Sequence, residues 1–141
     1  MAWHYETMVK WLGGERGVAE TAGKPAIQFT PPPEFGGVDD VWNPELLLVS
    51  SIETCLLLTG MHFVNKMQID LKSYSSKSDG VLDRTPHGLR FQSMTVTVNA
   101  VVGKAEDVER FKHVMASAEK WCPVSNAVNF PVHVIANATT A

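Results

Sequence analysis

Two cysteines, Cys55 and Cys122, are the residues of this sequence best suited to nucleophilic or redox chemistry. A cysteine reacts as its thiolate, and a free thiol with a pKa of about 8.5 is only slightly ionised at neutral pH unless its surroundings favour the charge. Three interpretations of the pair are open. The cysteines can be small buried apolar residues, they can bind a metal ion, or they can form a redox pair in which one thiolate attacks an oxidant and the other resolves the product as a disulfide.

The sequence around the cysteines does not have the pattern of a metal site. Cys55 and Cys122 lie far apart, neither belongs to a CxxC pair, and no cluster of histidines accompanies them. We therefore expect no metal and no cofactor. Catalysis by a cysteine and a histidine, as in a hydrolase or transferase, also lacks support, because no histidine lies three or four residues from Cys55 on the predicted helix.

Length and composition limit the classes of protein to which the chain can belong. Its 141 residues predict a single domain over 1–141, and 45% hydrophobic with 19% charged residues is ordinary globular composition. A net charge of −3 argues against a nucleic-acid partner. No signal peptide is recognisable, and polar residues such as Glu53 and Lys66 interrupt the most apolar segment, 46–67. We therefore expect a cytoplasmic protein without a membrane partner.

The elements that must position the cysteines begin with a turn-rich N-terminal region. Strands are expected at Val9–Leu12 and Val18–Thr21, separated by glycines, and a third at Ala26–Thr30. The sequence Asn43-Pro44-Glu45 is a strong helix start, since asparagine caps free N–H groups and proline fits the first helical position. The helix should end near Lys66, and its apolar residues surround it on all sides. Such a helix is buried on every side, which requires a second covering layer, for example from a partner subunit.

The second half of the chain predicts three more strands and one more helix. Strands are expected at Gln68–Tyr74, Leu89–Val102 and Phe130–Ala136, with a polar, turn-rich loop over Tyr74–Gly88. An amphipathic helix is expected over Ala105–Cys122. Its end would place Cys122 at the negative pole of the helix dipole, which disfavours a thiolate. The apolar face of the second strand comprises Met94, Val96, Val98, Ala100 and Val102. The result is an α+β fold with a long buried central helix, a second amphipathic helix and a mainly antiparallel sheet.

Four motifs in chain order resemble the OsmC/Ohr family, which comprises the osmotically inducible protein C and the organic hydroperoxide resistance proteins. The resemblance covers nearly the whole chain, and the two cysteine motifs together make it specific. The motifs are Trp11-x-Gly13-Gly14-x-Arg16-Gly17, Pro32-Pro33-Glu34-Phe35-Gly36-Gly37, Trp42-Asn43-Pro44-Glu45 ten residues before Cys55, and Ala118-Glu119-Lys120-Trp121-Cys122-Pro123-Val124-Ser125-Asn126. The family fold that this implies is an intertwined homodimer with a central buried helix.

The resemblance implies a thiol-dependent peroxidase that reduces organic hydroperoxides, and hydrogen peroxide less well, in oxidative-stress defence. Cys55 would be the peroxidatic cysteine and Cys122 the resolving one, joined by a disulfide after turnover. Arg16 would correspond to the arginine that holds the thiolate and polarises the peroxide, and Glu45 to the glutamate that positions this arginine. A dithiol such as a dihydrolipoyl group would restore the thiols.

A rival hypothesis keeps the fold without the chemistry. The chain would then be a non-catalytic homodimer that binds a small ligand or serves a structural purpose, with both cysteines as packing residues. Failure of Cys55 and Cys122 to form a disulfide under mild peroxide would favour this rival. A hydrolase or transferase would require an inhibitor-sensitive esterase activity.

Overall fold

The structure is a computed structural model that describes residues 1–141 and contains six strands and two long helices. The helices and strands occur in the predicted order β-β-β-α-β-β-α-β. Their bounds are β1 Met8–Gly13, β2 Arg16–Glu20, β3 Ile27–Phe29, α1 Pro44–Lys66, β4 Leu71–Thr85, β5 Gly88–Val102, α2 Asp107–Trp121 and β6 Val132–Thr140. The chain forms two compact units, Met1–Leu48 and Val49–Ala141. The α+β class is confirmed, with two three-stranded sheets where one sheet was expected.

The first unit is built on the antiparallel sheet β1-β2-β3. Gly13 and Gly14 both have positive φ at the turn between β1 and β2, a conformation that glycine adopts without strain. The Trp11 indole N–H closes this turn by donating to the Gly14 carbonyl at 2.9 Å. The turn thereby sets the position at which Arg16 begins β2.

Helix α1 starts where the capping signal predicts. The Asn43 side chain accepts a hydrogen bond from the Leu46 N–H at 2.8 Å, and Pro44 occupies the first helical position. Within the chain α1 buries one stripe, with a residue at every fourth position: Ile52, Leu56, Gly60 and Val64. The rest of α1 is not covered within the single chain, in which Leu58 is 68% exposed, so the second covering layer expected from the sequence stays a prediction.

By length and composition, α1 is also apolar enough to cross a membrane, with a mean hydropathy of 1.6. The core helix of a soluble protein has the same property, so this is weak evidence. The burial of its stripe among core residues of the second unit gives the apolar sequence a different explanation.

The structure replaces the predicted loop over Tyr74–Gly88 with regular strand. Strands β4 and β5 form a long antiparallel hairpin joined by a turn at Pro86 and His87. The inward face of β4 carries the hydroxyl residues Tyr74, Ser76 and Ser78. Because hydroxyls replace apolar residues on this face, the alternation that marks a strand is hidden in the sequence.

The core of the second unit lies between β5, α1 and α2. The predicted apolar face of β5 is confirmed, since all five of its residues are buried. Strand β6 returns parallel to β5 after the α2 crossover, as a helical connection between neighbouring strands allows. The other strand pairs are antiparallel, so the sheets are mainly antiparallel. Helix α2 buries Phe111, Val114, Met115 and Ala118 against this core.

A buried carboxylate joins the first turn of α2 to the end of α1. Asp107 is 1% exposed and accepts a hydrogen bond from the Arg110 guanidinium at 2.6 Å. It also accepts one from the Asp70 N–H at 3.3 Å. Arg110 in turn donates to the Met67 carbonyl, just beyond α1. The pair thus holds the two helix ends that flank β4 and β5.

Substituting Arg110→Ala should lower the free energy of unfolding by about 2 kcal/mol, because it leaves the buried Asp107 carboxylate without its cation. Denaturation in urea at fixed protein concentration would measure the loss. Lys112→Ala is the matched control, since Lys112 forms a pair of the same spacing with the exposed Glu109 and should cost less than about 0.5 kcal/mol. Equal losses in the two variants would contradict the assignment.

Candidate active site

The structure brings Cys55 and Cys122 together inside the second unit. Cys55 lies on α1, beside the buried stripe, and is partly exposed, whereas Cys122 caps the C-terminal end of α2 and is 0% exposed. Both are free thiols, and both pack in the hydrophobic core of this unit. Each thiol acts on the pKa of the other, so two residues that are distant in sequence are neighbours in the fold.

The two thiols have opposite pKa shifts. Burial raises the pKa of the Cys55 thiol, and the hydrogen bond that this thiol donates to Cys122 raises it further. The Val124 N–H and the Thr59 hydroxyl, whose oxygen lies 3.8 Å from the Cys55 sulfur, oppose this rise. The pKa of Cys122 is lowered, although burial alone raises it, because hydrogen bonds to its sulfur outweigh the burial.

The hydrogen bonds to Cys122 come from the turn that follows α2. The Ser125 N–H donates to Cys122 Sγ at 3.4 Å, and the Val124 N–H, the Ser125 hydroxyl and the Cys55 thiol also favour the charged form. The negative end of the α2 dipole predicted the poorer thiolate at Cys122, and that expectation is wrong. The N–H groups of the next turn face the sulfur and outweigh the carbonyl end of α2.

Arg16 and Glu45 lie in the first unit and line the same cavity. Its volume is about 430 Å³, and its walls are largely apolar. The aromatic and proline residues among its lining are Trp11, Phe29, Pro31, Pro32, Phe35 and Pro44. One carboxylate oxygen of Glu45, Oε1, is buried without a hydrogen-bond partner. An open cavity therefore contains a cation, an unpaired anionic acceptor and a hydrophobic wall.

The partner of Arg16 in this structure is Asp40. Arg16 Nη2 donates to both carboxylate oxygens of Asp40, at 2.9 and 3.2 Å. Asp40 could not be recognised from the sequence, because it follows Asp39 in a turn-rich segment and no pattern distinguishes the two aspartates. The predicted site residues thus occur as two groups, the cysteines in the second unit and Arg16 with Glu45 in the first.

A second polar cluster lies on the inward face of β4. The Ser76 hydroxyl donates to the Glu53 carboxylate. Burial, and secondarily the negative charge of Glu53, raise the pKa of Tyr74 to about 12. The hydroxyl oxygens of Tyr74 and Ser78 are buried without partners. We assign this cluster no part in cysteine chemistry.

Comparisons with solved structures show the same fold in many proteins. An OsmC-like protein of unknown function from Vibrio cholerae has a TM-score of 0.85 at 15% identity, with 98% of this chain and 100% of that chain covered. The organic hydroperoxide resistance protein OhrB of Bacillus subtilis has a TM-score of 0.67 at 21% identity, with 96% and 98% covered. Both identities are low, so these two likenesses establish the fold alone.

One relative is closer in sequence. The structure of an organic hydroperoxide resistance protein OsmC from Legionella pneumophila, described as a predicted redox protein and regulator of sulfide bond formation, is 28% identical. It covers 98% of this chain and 99% of that chain at a TM-score of 0.72. A comparison with curated proteins gives no match.

A family model extends these likenesses over most of the sequence. The model described as OsmC-like protein matches residues 37–137, which contain both cysteines and Glu45. The match covers more than half of the chain and includes both cysteine motifs. The chain belongs to the OsmC-like protein family.

Proposed function

We propose that the protein is a thiol-dependent peroxidase that reduces organic hydroperoxides, and hydrogen peroxide less well, in cytoplasmic defence against oxidative stress. The observation that carries the proposal is that Cys55 and Cys122 meet in one core, where each thiol acts on the pKa of the other. Cysteines that serve only as packing residues do not need to meet. Family membership and the hydroperoxide-resistance names of several structural relatives support the proposal.

In the first step, Cys55 attacks the terminal oxygen of the hydroperoxide. Cys55 gives its proton to water and reacts as the nucleophilic thiolate. The S–O bond forms as the O–O bond breaks, so that Cys55 becomes a sulfenic acid and the alcohol leaves after taking a proton from water. The partial exposure of Cys55 gives the peroxide access that the buried Cys122 lacks.

In the second step, Cys122 attacks the sulfenic sulfur of Cys55. The disulfide forms, and the hydroxyl group leaves as water with the proton of Cys122. A dithiol such as a dihydrolipoyl group then reduces the disulfide by thiol–disulfide exchange and returns both thiols.

We propose that Arg16 and Glu45 complete this site in the assembled protein. The Arg16 guanidinium would favour the Cys55 thiolate and stabilise negative charge on the leaving oxygen. The unpaired Glu45 Oε1 is an acceptor for that guanidinium, while Asp40 holds Arg16 from its Nη2 side. The apolar walls of the cavity suit the hydrocarbon part of an organic hydroperoxide.

We also propose that the assembled protein is an intertwined homodimer. Helix α1 leaves large apolar side chains exposed in the single chain, with Leu46 at 49% and Leu58 at 68%. An apolar helix face of this kind is stable in water when another surface covers it. A second copy of the chain would supply that surface.

Cys55→Ser should abolish turnover of cumene hydroperoxide with dihydrolipoamide as reductant, because the attacking sulfur is lost. Cys122→Ser should consume about one equivalent of peroxide and then stop, because no second thiol resolves the sulfenic acid. Peroxide consumption and mass spectrometry of the intact chain would measure these results. No turnover and no change in the free thiols of the unmodified protein would instead favour a non-catalytic binding protein.

Asp40→Asn should lower kcat/KM for the hydroperoxide about threefold to tenfold, because it removes the charged carboxylate that orients Arg16. An effect of this size corresponds to the loss of about one charge-assisted hydrogen bond. Asp39→Asn is the matched control, since it removes the same charge at the neighbouring position. Asp40→Glu should restore part of the rate. The role of Asp40 would be refuted by equal effects of the two asparagine variants.

Leu58→Lys should weaken self-association about tenfold or more, because a leucine buried in an interface contributes about 1.5–3 kcal/mol. Sedimentation equilibrium of the unmodified protein should give twice the mass of one chain. His113→Lys, which places a lysine on the exposed face of α2, should leave the association unchanged. A monomeric unmodified protein would rule out the homodimer.

A further inference from the structure

The turn that follows α2 directs backbone and side-chain groups at Cys122. It comprises Cys122, Pro123, Val124 and Ser125, and we call it the thiolate cradle. Pro123 has no N–H, so Val124 and Ser125 provide the first backbone donors after Cys122. The Ser125 N–H donates to Cys122 Sγ at 3.4 Å, and the Val124 N–H favours a lower pKa at both thiols.

A side chain closes the cradle. The Ser125 hydroxyl donates to the Cys122 carbonyl at 3.2 Å, and the Asn126 N–H donates to the same carbonyl at 3.1 Å. The backbone N–H of Ser125 donates to the Cys122 sulfur. Ser125 therefore joins the backbone and the sulfur of one residue into a fixed arrangement.

We propose that Ser125 is a positioning residue for disulfide closure, in which the thiolate cradle keeps the Cys122 sulfur aimed at Cys55. This inference rests on the proposed function and concerns its second step. Closure requires the Cys122 sulfur to approach Cys55 along the axis of the bond that breaks. A buried thiol that is free to rotate would spend part of its time in other rotamers, and the N–H groups of the cradle select one of them.

The closure step can be measured without peroxide. Ellman's reagent converts the more exposed Cys55 to a mixed disulfide with thionitrobenzoate, and attack by Cys122 forms the Cys55–Cys122 disulfide while releasing a second thionitrobenzoate. The absorbance of this second release gives the closure rate. Ser125→Ala should slow closure about fivefold, the effect of one lost hydrogen bond. Ser125→Thr, which keeps the hydroxyl, should restore most of the rate.

Asn126→Ala is the matched control within the same segment. The Asn126 side-chain amide donates to the Lys120 carbonyl at 3.0 Å and has no bond to either sulfur, so its loss loosens the end of α2 without changing the cradle. Closure at the unmodified rate in Ser125→Ala, or equal slowing in Ser125→Ala and Asn126→Ala, would overturn the proposal.

The assay separates this inference from the proposed peroxidase activity. Slowed closure in Ser125→Ala supports the cradle even if the unmodified protein fails to consume hydroperoxide, in which case only the substrate proposal is lost. If the protein does consume hydroperoxide, Ser125→Ala should also accumulate more Cys55 sulfenic acid, trapped by dimedone, than the unmodified protein. A structural defect alone would lower thermal stability without shifting that partition.

Discussion

The contact between two cysteine thiols is the interaction on which the rest of the candidate site depends. It requires the middle of α1 and the end of α2 to meet, and the packing of the second unit brings them together. The stripe of α1 that includes Leu56 and Gly60 packs against this core, where Gly60 leaves room for Met115 of α2. A Cβ at position 60 would lie 3.2 Å from the Met115 sulfur, a tight contact that glycine avoids.

The environment of this contact is largely apolar, which makes each polar group near it important. A charged sulfur in such surroundings is unfavourable unless donors face it. The turn after α2 supplies those donors from the backbone, where they do not depend on the rotamers of long side chains. Arg16 lies in the first unit, where Asp40 holds it. The second unit provides donors to the Cys122 sulfur from its own backbone.

Much of the fold could be predicted from periodicity and capping signals. The helix start at Asn43 and Pro44, the alternation along β5 and the glycine turn before Arg16 all have local physical causes, and each occurs as predicted. The full length of β4 was missed because its inward face carries hydroxyl groups, whose burial depends on partners distant in sequence. The parallel pairing of β6 likewise depends on tertiary packing rather than on local sequence.

The candidate site was predictable in its residue types but not in its electrostatics. The family resemblance predicted Cys55 and Cys122 as a redox pair, whereas their relative acidity depends on the N–H groups of Val124 and Ser125, which sequence patterns do not orient. Asp40 is similar, since it differs from Asp39 only by its contact with Arg16. In both cases the decisive feature is which groups form hydrogen bonds to the residue in the folded chain.

The unequal burial of the two sulfurs determines which of them would be overoxidised in a protein with the proposed activity. Excess oxidant can convert a sulfenic acid to a sulfinic acid, which no longer condenses with a thiol. Because Cys122 is fully buried and Cys55 is not, this irreversible damage would fall on one atom at the rim of the core. An overoxidised molecule would then keep its folded interior and its second thiol, and its inactivation would be chemical rather than a loss of structure.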